Sequence, residues 1–300
     1  MRRERPRWRA AARGTSPPTP RGNLYPGPAC NAVARAQVGC VGWSYPEWAG
    51  TFYPPRAEAS DYLSLYARAF DIVEIDSSFY AIPSQDMTRS WLESTGDAFR
   101  LTAKFPRLIT HEKQFVNVED PIRWFFGSIS ILKPKLGPLV MQLPPRFSIG
   151  SGRPALEAFI DQLPSGYRYA IEFRHRSWFT PETYAWLTDR GIALCWSEND
   201  YVEVPPVVTT DFVYLRFIGD RTLPKLTGEI QKDRTAEIRK WHAEVAKLPD
   251  GMPVYVFFNN HFAGFGPACV NLYHEIAGEE RIDWALKMKE EGQKSLFDFA

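Results

Sequence analysis

The chain has 300 residues, a length that allows two small domains or one large one, and about 250 residues is usual for a single α/β barrel. Hydrophobic residues make up 44% of the sequence and charged residues 24%, values typical of a globular protein, so wholesale disorder is excluded. The formal net charge is +1, which gives no electrostatic reason to expect a polyanionic partner, and no apolar run is long enough to predict a membrane span.

The near-zero charge hides an asymmetry at the start of the chain. Residues 1–36 hold eight arginines and one glutamate, a net charge of +7, which leaves −6 for residues 37–300. The same segment holds six prolines and almost no periodic apolar pattern, so we expect a disordered arm. An arm that binds nucleic acid and a transit peptide are alternatives, although the prolines interrupt any targeting helix. A solvated tail or a start codon placed too far upstream is favoured.

From residue 37 onward, short apolar runs alternate with amphipathic helical patterns. Thr180 and Pro181 are typical of a helix start, Gly191 of a helix end, and Ser60 is a further candidate N-cap. In chain order we predict strand 38–43, helix 60–70, strand 72–76, helix 87–94, strand 100–105, helix 121–132 with Pro121 first, strand 139–143, helix 154–163, strand 169–173, helix 180–190, strand 192–196, strand 212–217, helix 229–248, strand 254–258 and helix 266–276.

Eight strands that are nearly all separated by helices indicate parallel strands with right-handed crossovers. The fold class predicted is therefore α/β, a TIM-type (β/α)8 barrel in a single domain. A doubly wound open sheet is the alternative, but the first strand lacks the Gly-rich phosphate turn of such sheets. The domains are then an arm at residues 1–36, the barrel at 37–280 and a helix with a tail at 281–300.

Functional groups of such a barrel gather at the carboxyl ends of its strands, and polar residues recur at those ends here. We predict Glu74, Glu172 and Lys104 as catalytic residues, with the carboxylates as acid and base or as ligands of a divalent cation. A structural ion pair between Glu172 and Arg174, and a Schiff-base or phosphate-binding role for Lys104, are the alternatives. The predicted substrate-binding residues are Trp43, Tyr45, Asp76, Tyr80, Gln142, Arg174, Trp178, Arg216, Asn259 and Asn260.

Segments spread in order over about residues 38–278 resemble the YecE-like family, the domain of unknown function DUF72. They include Gly42-Trp43-Ser44-Tyr45, Glu74-Ile75-Asp76-Ser77-Ser78-Phe79-Tyr80, Thr102-Ala103-Lys104-Phe105-Pro106, Gln142-Leu143-Pro144-Pro145, Glu172-Phe173-Arg174 and Phe258-Asn259-Asn260. The resemblance implies a TIM-barrel fold, in agreement with the strand count, but no established reaction. It does not extend to the arginine-rich arm.

The end of the chain carries a second pattern, in which Gln293 is followed by Leu296 and Phe297. This stretch resembles the short peptides that dock into bacterial sliding clamps, and members of the resembled family often end this way. A flexible tail with an apolar Leu-Phe anchor suits a shallow apolar pocket on a partner. Packing of the same side chains onto their own barrel is the alternative.

These observations predict an enzyme, of the hydrolase or isomerase kind, that acts on a polar or phosphate-bearing small molecule. A non-catalytic adaptor tethered to a sliding clamp or another DNA-maintenance partner is the second hypothesis. The acidic body disfavours nucleic-acid binding by the barrel itself. No cofactor is indicated beyond a possible divalent metal, and the four scattered cysteines are typical of free thiols in a reducing cytoplasm.

Overall fold

A computed structural model describes residues 36–219, 223 and 226–288 of the chain. The expectations for the arginine-rich arm, apart from Ala36, and for Gln293, Leu296 and Phe297 lie outside the described residues. Within the described residues, no helix is long and apolar enough to cross a membrane.

Eight parallel strands close into a barrel in their sequence order, which confirms the predicted fold class. The ring closes where β1 pairs with β8, with Gln37 opposite Tyr255. The strands are β1 (Gln37–Val41), β2 (Ile72–Ile75), β3 (Arg100–Lys104), β4 (Leu136–Gln142), β5 (Tyr169–Glu172), β6 (Ile192–Asn199), β7 (Val213–Gly219) and β8 (Val254–Phe258).

The helices of the described residues follow most of the strands, and their apolar faces pack against the outside of the barrel. As the sequence predicts, no helix stands between β6 and β7, where Pro205 and Pro206 lie. The α-helices are α1 (Tyr62–Ala69), α2 (Ser77–Tyr80), α3 (Gln85–Glu93), α4 (Glu119–Ile129), α5 (Ile149–Ile160), α6 (Pro181–Arg190), α7 (Thr235–Val245), α8 (Gly266–Ile276) and α9 (Trp284–Lys287).

Helix α6 shows how local signals set a boundary. The Thr180 hydroxyl accepts a hydrogen bond from the Thr183 backbone N–H, and Pro181 occupies the first helical position. Gly191 ends the helix in the left-handed conformation, with φ of 62°. All three predictions for this helix are confirmed.

Several predicted helix starts are wrong, including that of α5, which begins at Ile149 instead of residue 154. Asp61, not Ser60, precedes α1, and its side chain makes no capping hydrogen bond. Helix α4 begins at Glu119, so Pro121 occupies its third position instead of its first. Proline is tolerated there because the first four N–H groups of a helix have no partner within the helix.

The predicted helix at residues 229–248 is too long at its N-terminus. The backbone N–H groups of Gln231 and Lys232 donate to the Ala263 carbonyl oxygen, at 2.7 and 3.2 Å, and this tertiary contact holds residues before α7 in a non-helical path. The Asp233 carboxylate then accepts from the backbone N–H of Thr235, where the helix starts. The amphipathic pattern alone does not reveal this competition.

Candidate functional site

Side chains alternate between the barrel interior and the helix layer, so the inward positions form layers along the barrel axis. The lower interior is filled by buried, mainly apolar side chains, including Val41, Ile72, Val140, Ala170, Ala193, Cys195, Tyr214 and Phe257. The next inward positions toward the carboxyl ends of the strands are polar: Glu74, Lys104, Gln142, Glu172, Ser197 and Arg216. We call this polar layer, together with Asp76 and Arg174, the barrel mouth.

Arg216 of β7 lies at the centre of the barrel mouth and is 1% exposed. Its Nε and Nη2 donate to the two carboxylate oxygens of Glu74, at 2.9 and 2.7 Å, and its Nη1 contacts Glu172. Both carboxylates are fully buried. A planar guanidinium can satisfy two carboxylates in this way because its donors form a rigid fork.

Tyr214 adds a further hydrogen bond to Glu74, and Thr102 in turn contacts the Tyr214 hydroxyl. The Tyr214 hydroxyl donates to Oε2 of Glu74 at 2.7 Å, and the Thr102 hydroxyl lies 3.0 Å from the Tyr214 oxygen. Because Tyr214 already donates to the carboxylate, Thr102 donates to Tyr214. Neither residue is predicted from the sequence, although Tyr214 shares the inward face of its strand with Arg216 and could have been found by that alternation.

Arg174 stands just beyond β5 and extends the same network. Its Nε donates to Oε1 of Glu172 at 2.6 Å, and its Nη2 donates to Oε1 of Gln142 at 2.9 Å. The Glu172–Arg174 ion pair that the sequence left open as an alternative is therefore present. This ion pair belongs to a larger network, because Arg216 of β7 contacts the same glutamate and also pairs with Glu74 of β2.

Lys104 of β3 is the third cation of the mouth and is 4% exposed. Its Nζ lies 3.4 Å from Oδ1 of Asp76 and 3.7 Å from the centre of the Phe79 ring. Burial, together with the charge of Arg216, lowers the pKa of Lys104 to about 8, although Asp76 and the two buried glutamates act in the opposite direction.

The electrostatics keep the buried glutamate of β5 ionised. Burial alone would raise the pKa of Glu172, but Arg174, Arg216 and Lys104 outweigh it and hold the pKa at about 2. Burial acts against the charge of Arg216 as well, yet Glu74 and Glu172 raise its pKa well above the ordinary value. Glu172 and Arg216 therefore keep their charges through the neutral pH range.

His111 lies at the rim, in a π-helical turn at Leu108–Glu112. Its Nδ1 is 2.8 Å from the Thr110 hydroxyl, and its ring packs edge-on against Phe79, whose face carries Lys104. Burial, Lys104 and Arg174 lower the pKa of His111 to about 4, so its imidazole is neutral at pH 7.

The predicted aromatic wall residues have different surroundings in the structure. Tyr80 is 62% exposed, Trp43 is half-buried with its edge against Trp91, and the Tyr45 hydroxyl donates to the Val41 carbonyl. The structure corrects the prediction that Trp178 binds the substrate. It is fully buried, its ring stacks on Phe173 at 4.6 Å and its Nε1 donates to the Phe147 carbonyl, so it packs between the segments that follow β4 and β5.

The two asparagines after β8 are separated by the structure. Asn259 is half-buried, and its Oδ1 accepts from the backbone N–H of His261. Asn260 is buried on the outer side of the barrel, where its Oδ1 accepts from Trp48 Nε1 at 3.2 Å and from the Gly266 N–H at 2.8 Å. Asn260 therefore joins the loop after β1 to α8. This structural role replaces the prediction that Asn260 binds the substrate.

Neither a metal cluster nor a disulfide is formed by the described part of the chain. It holds no group of three or more His, Cys, Asp or Glu side chains arranged to bind a metal ion. Cys40, Cys195 and Cys269 are buried free thiols.

The family model described as "Protein of unknown function DUF72" matches residues 37–293. UPF0759 protein YecE of Escherichia coli (strain K12) is 32% identical over 155 residues, which are 52% of this chain and 54% of that protein. UPF0759 protein YunF of Bacillus subtilis (strain 168) is 28% identical over 153 residues, 49% of this chain and 53% of that protein. The matched stretches thus span about half the length of these curated relatives.

Solved structures of two DUF72 family proteins resemble this barrel. The protein from Thermotoga maritima MSB8 superposes with a TM-score of 0.70 and 26% identity, over 81% of this chain and 99% of that one. The protein from Enterococcus faecalis V583 superposes with a TM-score of 0.68 and 21% identity, over 81% and 96% of the two chains, a likeness that concerns the fold alone.

Proposed function

The chain belongs to the DUF72 family, and on that premise we propose that its barrel mouth is the active site of an enzyme that acts on a small polar molecule bearing a phosphate group. The location agrees with the rule that TIM barrels place their chemistry at the carboxyl ends of the strands. The observation that carries the proposal is the buried Lys104, whose ammonium has one carboxylate oxygen within 4 Å among the described residues, Oδ1 of Asp76 at 3.4 Å.

The hydrogen-bonding capacity left over in the mouth favours an anion. The carboxylate oxygens of Glu74 and Glu172 all accept from arginine or tyrosine donors. Among the described residues, by contrast, Nη1 of Arg174 and Nε2 of Gln142 have no hydrogen-bond partner, and Lys104 uses one donor of three. Donors from three neighbouring strands suit the several oxygens of a phosphate group.

Lys104 is the residue of the mouth best suited to move a proton. A pKa of about 8 leaves both protonation states accessible near neutral pH, as general acid–base catalysis requires. Glu74 and Glu172 would instead hold Arg174 and Arg216 in place, since every oxygen they have is engaged. In this proposal the predicted catalytic pair of glutamates acts as positioning residues.

The test combines a titration with a binding measurement. After reductive methylation of the protein with ¹³C-formaldehyde, we expect one dimethyl-lysine signal to titrate near pH 8 and to be absent from Lys104→Met. Inorganic phosphate should bind the parent protein and the exposed control Lys247→Met equally, and Lys104→Met at least about tenfold more weakly. A Lys104 signal that titrates above pH 10, or phosphate affinity unchanged by Lys104→Met, would contradict the proposal.

A second candidate function, clamp binding by the C-terminal tail, is favoured by one observation at the end of the described chain. Helix α9 is attached to the barrel because Trp284 packs on Phe52 and Phe265 and its Nε1 donates to the Thr51 carbonyl. Gln293, the first residue of the clamp-like pattern, comes only nine residues after Trp284 in the sequence, and Trp284 is held on the barrel. Truncation after Gly292 keeps this attachment.

We expect the truncated chain to keep its Tm and to lose binding to an immobilised bacterial sliding clamp, and Leu296→Ala with Phe297→Ala to do the same. Clamp binding that survives both changes, or is absent from the parent chain, would exclude the adaptor function.

A further inference from the structure

A cleft of about 340 Å³ lies beside the barrel mouth, between the connection that follows β6 and helix α7. Its walls include Ser197, Glu198, Asp200, Tyr201 and Lys240. We call it the β6–α7 cleft. Its volume is at the lower end of the range of small-molecule pockets, so it suits part of a metabolite and not a macromolecule.

The β6–α7 cleft and the barrel mouth are neighbours at two points. Ser197 lines the cleft and stands directly opposite Arg216 in the pairing of β6 with β7. The Tyr201 ring lies over the Arg174 guanidinium, with its centre 4.8 Å from Cζ. A ligand bound by Arg174 in the mouth would therefore extend along Tyr201 into the cleft.

The cleft walls are held by interactions of their own. Oε2 of Glu198 accepts from Nε1 of Trp241 at 2.6 Å, which ties α7 to the end of β6. Oδ1 of Asn199 accepts from the backbone N–H groups of Tyr201 and Val202, and its amide nitrogen donates to Ser197. These contacts turn the chain so that Tyr201, an aromatic residue, stays 50% exposed at the border of cleft and mouth.

The chemistry of the cleft complements that of the mouth. Asp200 and Glu203 line it with exposed carboxylates, and within the described part of the chain neither has an ion-pair partner. The mouth presents unused hydrogen-bond donors, whereas the cleft presents these two carboxylates, an aromatic face and the ammonium of Lys240, which lies 3.6 Å from Glu198. Hydroxyl groups donate to carboxylates, and the C–H face of a polyol packs on an aromatic ring.

We infer that the β6–α7 cleft binds the hydroxyl-bearing part of the ligand, so that the substrate class is a phosphorylated sugar or polyol with its phosphate at Lys104 and Arg174. This inference rests on the proposed function, because it takes the phosphate position from it. Tyr201 is then a specificity-determining residue, which separates phosphorylated polyols from phosphate esters that lack hydroxyl groups.

The test compares ligands that share the phosphate group and differ in hydroxyl groups. Dissociation constants of methyl phosphate, ribose 5-phosphate, glucose 6-phosphate and glucitol 6-phosphate are measured by calorimetry on the full chain. At least one of the three polyol phosphates should bind at least about tenfold more tightly than methyl phosphate. Tyr201→Leu should remove that gain, so that the polyol phosphates bind the variant no more tightly than methyl phosphate does. The matched control Trp124→Leu, which changes another exposed aromatic residue, should keep the gain.

The outcomes separate the two proposals. If methyl phosphate binds but none of the three polyol phosphates binds more tightly, or if the gain survives Tyr201→Leu, the role of the cleft is overturned and the phosphate site stands. If the parent chain binds neither methyl phosphate nor a polyol phosphate, the proposed function fails and the inference fails with it.

Discussion

At the scale of single residues, Arg216 decides whether the barrel mouth can hold buried carboxylates. It is the shared partner of Glu74 and Glu172, and it reaches them from a strand far away in the sequence. Burying a carboxylate without a partner is costly, so removal of one central cation affects two acids at once.

We therefore expect Arg216→Met to lower the free energy of unfolding by about 3–5 kcal/mol, because Glu74 and Glu172 would both lose the cation that they share. Urea unfolding followed by circular dichroism measures this. Arg281→Met removes an exposed ion pair with Glu275 and should cost about 0–1 kcal/mol. Equal effects of the two substitutions would mean that the network does not stabilise the fold.

Glu172 gives a pH dependence whose sign follows from its lowered pKa. In the folded chain the pKa is about 2 instead of the ordinary 4.5, so between these values the unfolded state binds the proton first. The stability that the ionised Glu172 contributes is complete above pH 4.5 and is lost as the pH falls toward 2.

The measurement is the difference in unfolding free energy between the parent protein and Glu172→Gln, followed across that range. We expect the difference to shrink as the pH falls, whereas the surface variant Glu275→Gln provides the control. A difference that stays constant from pH 6 to pH 2 would refute this assignment.

At the scale of secondary-structure elements, Tyr66 joins α1 to the first two strands. Its hydroxyl accepts from the Cys40 N–H at 2.7 Å and donates to the Ile72 carbonyl at 3.0 Å. Gly39 allows this close approach, since a Cβ there would lie 2.1 Å from the same carbonyl oxygen. The side chain thus replaces a hydrogen bond of the sheet where β1 and β2 meet.

Tyr66→Phe should lower the free energy of unfolding by about 1–3 kcal/mol, because it leaves a buried N–H and a buried C=O without a partner. Tyr62→Phe in the same helix is the matched control, since no hydrogen bond of the Tyr62 hydroxyl occurs within the described part of the chain. Chemical denaturation compares the two, and similar stabilities would contradict this role for Tyr66.

The element boundaries also show which signals are local. Helix α6 and strand β8 match their predictions because capping residues and an apolar run lie within the segment itself. Helix α7 does not, because the Ala263 carbonyl competes for the backbone of residues 231 and 232. A hydrogen-bond acceptor that comes about 30 residues later leaves no trace in a local pattern.

At the scale of the whole molecule, the barrel closes through hydrogen bonds between β1 and β8. The family match begins at residue 37, where β1 begins. The ring is therefore complete within residues 37–258, which follow the strongly basic arm in the sequence.

Deletion of residues 1–35 should leave the free energy of unfolding within about 0.5 kcal/mol of the parent value. The shortened chain carries a net charge of −6 instead of +1, so its isoelectric point falls, which serves as a check of the deletion. A loss of more than about 1 kcal/mol would mean that the arm packs on the barrel.

The sequence by itself determined the class of fold and the layer in which the charged groups lie. The alternation of strands and helices is a local pattern, and Glu74, Glu172 and Arg216 stand near the carboxyl ends of predicted strands, where a barrel gathers its functional groups. Only the tertiary structure decided which groups meet. Glu74 and Arg216 are 142 residues apart and become partners because the barrel closes. Trp178 does not line the mouth, because its ring is buried in a stack on Phe173. Such contacts depend on where distant strands end in space, which local patterns do not encode.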